Sequence, residues 1–408
     1  MKCRHCSAAL SLPFLDLGSA PPSNAYLSNA SLRAPETWFP LRLLVCEACW
    51  LVQTEDHAGR EALFTDDYAY FSSFSTSWLA HSSAYVQAMR QRFDLGPRSL
   101  VAEIAANDGY LLQYVQQAGI PCYGVEPTAS TAAAARAKGI EIVERFFGVA
   151  LATELAGQGK QVDLVAANNV LAHVPDINDF VAGFARLLKA QGVATLEFPH
   201  LLQMIRHNQF DTAYHEHYSY LSLTAVQRVF AANGLAVFDV EEHPTHGGSL
   251  RVFAQRTAGG EHLRSVAVAA MLEREAAAGL TSPQAYAGFQ LRAQKVKNDF
   301  LAFLIEAQRQ GKRVAAYGAA AKGNTLMNFA GVRPDLLAFV VDRNPAKQGK
   351  YMPGSRIPIV AEERLTQDKP DQIVILPWNL SAEVMAQLDY ARAWGATFVT
   401  AVPKMEVK

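Results

Sequence analysis

Short apolar runs alternate with helical patterns along much of this chain, and this alternation is the feature that most restricts its fold. In the middle of the sequence the apolar runs predict strands at residues 100–106, 122–126, 140–147, 163–170 and 193–198. Strands that alternate with helices are typical of a doubly wound parallel sheet. A helical stretch at 223–232 is followed by β-like segments at 236–240 and 249–255, which can extend that sheet in antiparallel fashion.

The same alternation returns in the last hundred residues. There the pattern predicts strands at 313–319, 337–341, 372–376 and 397–402 and helices at 322–329 and 381–394. The intervening segment, from about 266 to 310, is rich in Ala, Glu, Gln and Lys with helical periodicity. The sequence therefore predicts two α/β units joined by a helical connector.

Size and charge limit the classes of function. A chain of 408 residues, half of them hydrophobic, predicts two or three domains. The formal net charge of −1 gives no general attraction to nucleic acid or to an anionic membrane. No apolar run approaches the ~20 residues of a membrane span, and the N-terminus has no apolar signal region. We expect a cytoplasmic protein, monomeric or weakly homo-oligomeric, that binds neither nucleic acid nor membranes.

Four of the five cysteines lie in the first 50 residues as two pairs with two intervening residues, Cys3 and Cys6, then Cys46 and Cys49. This spacing lets adjacent thiolates bind one tetrahedral Zn²⁺, and four-thiolate sites are usually structural. Free thiols are the alternative. A disulfide framework is disfavoured because nothing in the sequence suggests export. We predict a separate zinc-binding module.

Polar residues follow the predicted strands of the first α/β unit at the edge where a nucleotide-type ligand meets a parallel sheet. The run Glu-Ile-Ala-Ala-Asn-Asp-Gly-Tyr has one glycine where a dinucleotide fingerprint has three, so it fits a pyrophosphate poorly. The next strand places a carboxylate where it can accept both ribose hydroxyls. This ordered set favours S-adenosylmethionine over NAD, although strand ends also carry such residues as helix caps. The candidate cofactor-binding residues are Glu103, Asn107, Gly109, Tyr110, Glu126, Asn168 and Asn169.

The run Tyr214-His215-Glu216-His217-Tyr218-Ser219 is the densest group of proton-transferring side chains in the chain. Two imidazoles and a carboxylate can bind a metal, act as a general base with its partner, or form a polar loop. The i, i+2 spacing of the histidines lacks the helical geometry of His-Glu-x-x-His zinc sites. We favour proton transfer.

Two further segments are candidates for substrate binding. The first, residues 245–251, contains paired glycines that allow close backbone approach to a ligand or form a hairpin turn. The second, residues 317–325, joins a strand to a helix with Lys322 beside the helix N-terminus, which suits a diphosphate; the alternative is a tight turn of small residues. Residues 342–345 and 377–379 follow later strands, where sugar or base contacts are expected, although Trp378 can equally be a core residue.

Together these motifs resemble the sugar-nucleotide C-methyltransferases of deoxysugar biosynthesis, and the resemblance spans nearly the whole chain. It rests on both cysteine pairs and on the motifs EIAANDGYLL, NNVLAHVPD, YHEHYSY, THGGSLR and YGAAAKGNT. The family implies a mixed α/β fold with a zinc-binding domain at 1–65, a Rossmann-like class I methyltransferase domain at 66–265, a helical connector at 266–310 and a second Rossmann-like domain at 311–408. It also implies S-adenosylmethionine and structural zinc as cofactors. The substrate-binding residues that it suggests are His246, Arg251, Tyr317, Lys322, Asn324, Asn344 and Asn379.

The resemblance further implies methyl transfer to carbon 3 of a nucleotide-linked 4-keto-6-deoxy sugar through an enolate. His217 matches the family's base position, with Tyr214 and His173 as candidates to stabilise the enolate oxygen. Glu216 would position the base or a sugar hydroxyl, and Tyr68 would close over the pocket. Two alternatives stay open at this point: methylation of nitrogen or oxygen, and a zinc scaffold that binds nucleotide sugars without turnover.

Overall fold

The computed structural model describes residues 1–55, 57 and 71–408. In chain order, its strands are β1 (Leu12–Ala20), β2 (Phe39–Val45), β3 (Val52–Thr54), β4 (Val101–Ile104), β5 (Cys122–Val125), β6 (Glu141–Val143), β7 (Val162–Asn168), β8 (Leu188–Pro199), β9 (Ser219–Tyr220), β10 (Leu235–His243), β11 (Ser249–Arg256), β12 (Val314–Tyr317), β13 (Val340–Val341), β14 (Ile359–Val360), β15 (Gln372–Ile375), β16 (Thr397–Thr400) and β17 (Glu406–Val407).

The α-helices of the described residues lie between these strands. In chain order they are α1 (Thr76–Arg92), α2 (Leu112–Gln117), α3 (Ala129–Ala137), α4 (Val149–Gly157), α5 (Ile177–Leu187), α6 (Leu201–Arg206), α7 (Leu223–Ala232), α8 (Val266–Ala277), α9 (Pro283–Tyr286), α10 (Phe289–Arg309), α11 (Ala321–Ala330), α12 (Glu363–Asp368) and α13 (Ser381–Gln387).

The central sheet has the strand order β10-β11-β8-β7-β4-β5-β6. The five neighbouring strands β8, β7, β4, β5 and β6 run parallel. Strand β11 pairs antiparallel with β8, and β10 pairs antiparallel with β11. Helices α1 to α5 alternate with the parallel strands, as the apolar pattern predicts. The prediction of a doubly wound sheet with an antiparallel extension is confirmed.

A second sheet near the C-terminus has the order β14-β13-β12-β15-β16-β17 and is parallel except for its last strand. Two elements are clearly shorter than the sequence pattern predicts, and β14 and β17 were not predicted. The strand expected at 337–341 covers only Val340–Val341. The helix expected at 381–394 ends at Gln387 and is followed by a 3-10 segment, Asp389–Trp394, which Gly395 ends in a left-handed conformation with φ of 85°.

The N-terminal residues form a small antiparallel sheet of order β1-β2-β3-β9. Its last strand, β9, comes from the middle of the chain and pairs with β3 through Val52–Tyr220 and Gln53–Ser219. The predicted strands did not include β1 to β3 or β9. This sheet therefore joins the cysteine-rich module to the segment that carries the histidine cluster.

The helices of the predicted connector are packed rather than extended between lobes. Phe14 of β1 stacks on Phe289 of α10 with ring centroids 4.6 Å apart. One hydrophobic core contains residues of the N-terminal sheet, of α10 and of the C-terminal sheet. The described helices include none that is long and apolar enough to cross a membrane. The domain boundaries, the cytoplasmic location and the oligomeric state remain predictions.

Candidate active site

The four N-terminal cysteines converge on one point. Their sulfur atoms all lie within 4.8 Å of one another, with Cys3 3.5 Å from Cys49 and Cys6 3.5 Å from Cys46. A tetrahedral site with Zn–S bonds of about 2.3 Å places its sulfurs roughly 3.8 Å apart, so the cluster fits Zn²⁺. Gln53 donates from Nε2 to the Cys3 sulfur at 3.3 Å, which adds an outer partner to the site.

The zinc-binding sheet also holds the histidine cluster. The Thr54 hydroxyl donates to the carbonyl oxygen of His217 at 2.5 Å, and the Thr54 amide donates to the carbonyl of Tyr218 at 3.2 Å. Nε2 of His215 lies 3.2 Å from the carbonyl oxygens of both Phe39 and Pro40. Because a carbonyl only accepts, His215 donates to β2 and serves as an anchor of the loop.

The loop after β4 forms one wall of the proposed cofactor pocket. Ala105, Asn107 and Gly109 have positive φ values of 59°, 49° and 75°. The positive φ favours glycine at position 109, and an added Cβ atom there would also displace Cδ1 of Ile140, which would lie 2.3 Å away. The Asn107 side chain accepts from the amide of Ser72 at 2.9 Å, which ties this loop to the segment before α1.

Buried polar atoms at the carboxyl edge of the central sheet fit a polar ligand. Among the described residues, the two carboxylate oxygens of Glu103 make no hydrogen bond of regular geometry, and the same holds for Oδ1 of Asn168. Burial raises the pKa of Glu103 well above its usual range, although the nearby Tyr110 hydroxyl opposes the shift. A buried carboxylate without full hydrogen bonding is unfavourable, and the ammonium group of S-adenosylmethionine would satisfy it.

The Glu126 carboxylate lies at the end of the neighbouring strand, where a ribose acid is expected. It accepts from the amides of Asn107 and Thr128, both at 2.9 Å. Burial raises its pKa. These two bonds orient the carboxylate, and its contact with a ribose stays a prediction.

Asn169 joins the cofactor side of the site to the loop between β10 and β11. Its Nδ2 donates to Nε2 of His246 at 2.8 Å, and His246 lies edge-on to Trp78 of α1, with ring centroids 5.0 Å apart. Burial lowers the pKa of His246 to about 4, so the ring is neutral at pH 7. The loop forms a hairpin. At Gly247 its backbone lies close to the indole of Trp378, which an added Cβ atom would approach to 2.5 Å.

His217 has a defined tautomer. Its Nδ1 lies 3.0 Å from the carbonyl oxygen of Thr212, so Nδ1 carries the proton and Nε2 carries the lone pair. Burial lowers its pKa well below the usual value, and the nearby His173 lowers it further. The ring of Tyr214 lies 3.9 Å from that of His217, centroid to centroid. A buried neutral imidazole of this kind is suited to act as a general base.

His173 and Glu216 adjoin His217. Nδ1 of His173 donates to the backbone carbonyl of Glu216 at 2.9 Å, and burial lowers the pKa of His173 to about 4. Its ring centroid is 4.5 Å from that of His217. The structure thus brings together four of the five predicted catalytic residues, His217, Tyr214, Glu216 and His173. Tyr68 lies outside the described residues.

Lys322 reaches the same region from the C-terminal domain. Its Nζ donates to the carbonyl of His246 at 3.3 Å and to Oδ1 of Asn379 at 3.1 Å, and it lies 4.7 Å from the ring centroid of Trp378. Burial lowers its pKa. Asp211, whose pKa burial raises to about 6, bonds to Trp378 Nε1 at 2.7 Å. Within the described residues Lys322 has no carboxylate in salt-bridge contact, so this buried ammonium suits an anionic ligand.

The other predicted substrate residues have different surroundings. Arg251 is buried within the central sheet and donates to Glu197 at 2.6 Å. Although burial raises the Glu197 pKa, His81 and Arg251 bring it down to about 2. The Tyr317 hydroxyl bonds to Gln387, and the amide of Asn344 donates to Asp342. Asn324 is buried, and in the described chain its side-chain amide has no hydrogen-bond partner. Substrate contact by these residues remains a prediction.

Several residues of the site were absent from the sequence-based set. Thr54 and Thr212 fix the histidine loop, and Asn24 donates to Glu216 from both its amide nitrogens. Trp78 faces Tyr110 and His246. Their residue types are common caps or core residues, and they come from distant parts of the chain. Only a three-dimensional arrangement shows that they belong to the site.

Comparisons with known proteins agree with this architecture. Family models match residues 3–64 as a zinc binding domain, 81–240 as a methyltransferase domain and 244–403 as a C-methyltransferase C-terminal domain. The C-methyltransferase NovU of Streptomyces niveus is 33% identical over 406 residues, which cover 100% of this chain and 96% of NovU.

Solved structures align with smaller parts of the chain. The magnesium protoporphyrin IX methyltransferase of Synechocystis with bound SAM is 18% identical over 44% of this chain and 77% of its own, with a TM-score of 0.33. A Pyrococcus horikoshii protein is 13% identical over 46% of this chain and 95% of its own, with a TM-score of 0.39.

The central domain, with its polar residues at the carboxyl edge of the sheet, defines an S-adenosylmethionine-dependent methyltransferase with a structural zinc site. The chain belongs to the C-methyltransferase family that includes NovU, and it is an S-adenosylmethionine-dependent C-methyltransferase. Carbon is therefore the methyl acceptor, and the alternatives of nitrogen or oxygen methylation and of a non-catalytic scaffold are not supported.

Replacing Cys46 by Ser should remove zinc and weaken the sheet that holds the histidine loop. We expect loss of bound zinc by elemental analysis, a fall of about 3 kcal/mol or more in the free energy of unfolding, and loss of methyl transfer. Cys122→Ser, away from the cluster, is the control and should keep its zinc. Full zinc content and stability in Cys46→Ser would contradict the four-cysteine site.

Proposed function

We propose that this enzyme methylates carbon 3 of a nucleotide-linked 4-keto-6-deoxy sugar and that His217 removes the carbon 3 proton. The observation that carries the proposal is the fixed, neutral tautomer of His217. The Thr212 carbonyl holds the proton on Nδ1, which leaves Nε2 to accept a proton. The family membership requires methylation of carbon, and a carbon acceptor has to be made nucleophilic.

The bound cofactor supplies an electrophilic methyl group. A ketone at carbon 4 acidifies the hydrogen on carbon 3, so a base can convert this C–H bond into an enolate. Nε2 of His217 would take the proton, and the electron pair of the C–H bond would become the enolate. Carbon 3 would then form the new bond to the methyl carbon as the sulfur–methyl bond breaks, and its electron pair would leave with S-adenosylhomocysteine. An imidazole whose pKa is lowered is a weak base, so the enolate oxygen needs hydrogen-bond donors.

Tyr214 is favoured over His173 as that donor. His173 uses its Nδ1 proton on the carbonyl of Glu216, and its low pKa keeps the second nitrogen unprotonated at pH 7. Neutral His173 can therefore accept a hydrogen bond from a sugar hydroxyl but has no second proton to donate. The Tyr214 hydroxyl can donate, and its ring lies against His217.

The nucleotide diphosphate would lie toward the C-terminal domain. Lys322 provides a buried positive charge, while Asn379 and Asn324 provide amides beside the N-terminal end of α11. In the described chain the Asn324 amide has no partner, and a ligand oxygen would provide one. An anion is favoured at such a position by the helix dipole and the ammonium together.

An open cleft of about 540 Å³ at the carboxyl edge of the second sheet offers space for the nucleoside. It is lined by Arg343, Glu362 and Tyr390, and the Tyr390 hydroxyl donates to Glu362 at 3.1 Å. Such carboxylates and donors suit ribose hydroxyls and base edges. The predicted contacts are Tyr317 and Asn344. The Tyr317 hydroxyl bonds to Gln387 beside this cleft.

A panel of nucleotide-linked 4-keto-6-deoxy sugars tests the proposal. Each would be incubated with the enzyme and S-adenosylmethionine, and products would be analysed by mass spectrometry. We expect at least one sugar to gain one methyl group, and NMR should place it on carbon 3. A methyl group on another carbon, or methylation only of acceptors without a 4-keto group, would contradict the proposal.

The role of the base can be tested with His217→Asn. Asparagine keeps a polar side chain of similar reach but cannot take the proton, so methyl transfer should fall by roughly 10²–10⁴-fold while S-adenosylmethionine binding is retained. The matched control is His207→Asn, which makes the same change at an exposed histidine. Wild-type turnover in His217→Asn would exclude this residue as the base.

The lowered pKa of His217 predicts a particular pH profile. An ordinary imidazole is half protonated near pH 6.5, whereas His217 stays neutral there. The kcat/KM for the sugar should therefore keep its full value at pH 6.5 and fall only at lower pH. The Glu216→Gln variant should be measured as well, since it removes the titration of that carboxyl. A half-maximal value at or above pH 6.5 in both proteins would contradict the expectation.

A further inference from the structure

A short segment of the zinc-binding domain, residues 23–27, follows β1 and reaches the loop that carries Glu216 and His217. Asn24 donates to Oε1 of Glu216 from its backbone amide at 3.3 Å and from its side-chain Nδ2 at 3.2 Å. A tight turn positions these donors, because the amide of Ala25 bonds to the carbonyl of Pro22 at 3.1 Å. Two donors from one residue thus converge on a single carboxylate oxygen.

The same segment continues to the C-terminal domain. The Tyr26 hydroxyl donates to the carbonyl of Ala319 at 2.6 Å, in the loop before α11, and Lys347 donates to the same carbonyl at 2.9 Å. Leu27 and Tyr351 exchange backbone hydrogen bonds of 2.9 and 2.8 Å. Residues 23–27 therefore contact both the loop that carries the base and the loop that precedes Lys322.

We propose that Asn24 is a positioning residue of the methyl-transfer site, which acts by holding one oxygen of Glu216 so that the other faces the substrate. Nothing in the sequence marks Asn24, which lies 192 residues before its partner. The inference rests on the proposed role of Glu216 in orienting the sugar or the base.

The surroundings of Glu216 support this assignment. The carboxylate is almost fully buried, and among the described residues its Oε2 has no hydrogen-bond partner. A carboxylate held at one oxygen by two donors has a fixed plane, so the second oxygen points in one direction. Burial raises the pKa of Glu216, while its own backbone amide, the two donors of Asn24 and the backbone amide of Ser23 oppose that shift. Asn24 therefore favours both the orientation and the ionised form of the acceptor.

A double-mutant cycle between Asn24→Ala and Glu216→Gln tests the inference in the full-length, zinc-loaded enzyme. We expect Asn24→Ala to lower kcat by roughly 10-fold, the loss expected for one hydrogen bond to a charged group. Its zinc content, melting temperature and S-adenosylmethionine affinity should stay at wild-type values. In the Glu216→Gln background the same change should lower kcat by less than about 2-fold, because Asn24 acts through that carboxylate.

Asn29→Ala is the matched control, since it makes the same change at an exposed asparagine whose side chain accepts from Tyr351, and it leaves both bonds to Glu216. It should keep wild-type kcat. Wild-type kcat in Asn24→Ala, an equal fall in both backgrounds, or an equal fall in Asn29→Ala would each overturn the inference. Failure of the proposed reaction and failure of the role of Asn24 give different results. A methyl group found away from carbon 3 refutes the reaction. An impaired Glu216→Gln together with an unimpaired Asn24→Ala refutes only the role of Asn24.

Discussion

The pairing of β3 with β9 is the interaction on which the site depends. It places the segment that carries His217 on the edge of a sheet whose other strands belong to the zinc-binding module. Gln53 lies on β3, contacts the Cys3 sulfur and pairs with Ser219. A path of only a few bonds therefore joins the metal site to the catalytic loop. The zinc site is structural, and the sheet beside it holds the backbone of His217, the proposed base.

Burial determines the chemistry of the groups around this loop. It keeps His217, His173 and His246 neutral at pH 7, so each ring retains one nitrogen with a lone pair. The same low polarity means that water screens the charge of Lys322 only weakly. A dianionic nucleotide would compensate that charge. In the proposed reaction, substrate binding and activation of its carbon would both depend on this desolvation.

Much of this organisation can be predicted from the sequence, because its signals are local. The apolar alternation predicts both parallel sheets, and the cysteine spacing predicts the metal cluster. The cluster of His and Glu suggests proton transfer, which stays a prediction. Contacts between distant residues could not be predicted. Thr54, Thr212 and Asn24 have no local signature, since such residues are usually caps or turn formers. Arg251 lies in a motif that suggests a ligand, yet its guanidinium is paired with Glu197, and only the sheet register brings those two residues together.

Exchange of the carbon 3 hydrogen with solvent would show whether His217 forms the enolate, because it isolates deprotonation from methyl transfer. The 4-keto sugar nucleotide would be incubated in D₂O with the enzyme and S-adenosylhomocysteine, and the carbon 3 proton would be followed by NMR. We expect enzyme-dependent loss of that signal with the wild type and no loss above background with His217→Asn. Equal exchange with both proteins would show that another group forms the enolate and would exclude His217 as the base.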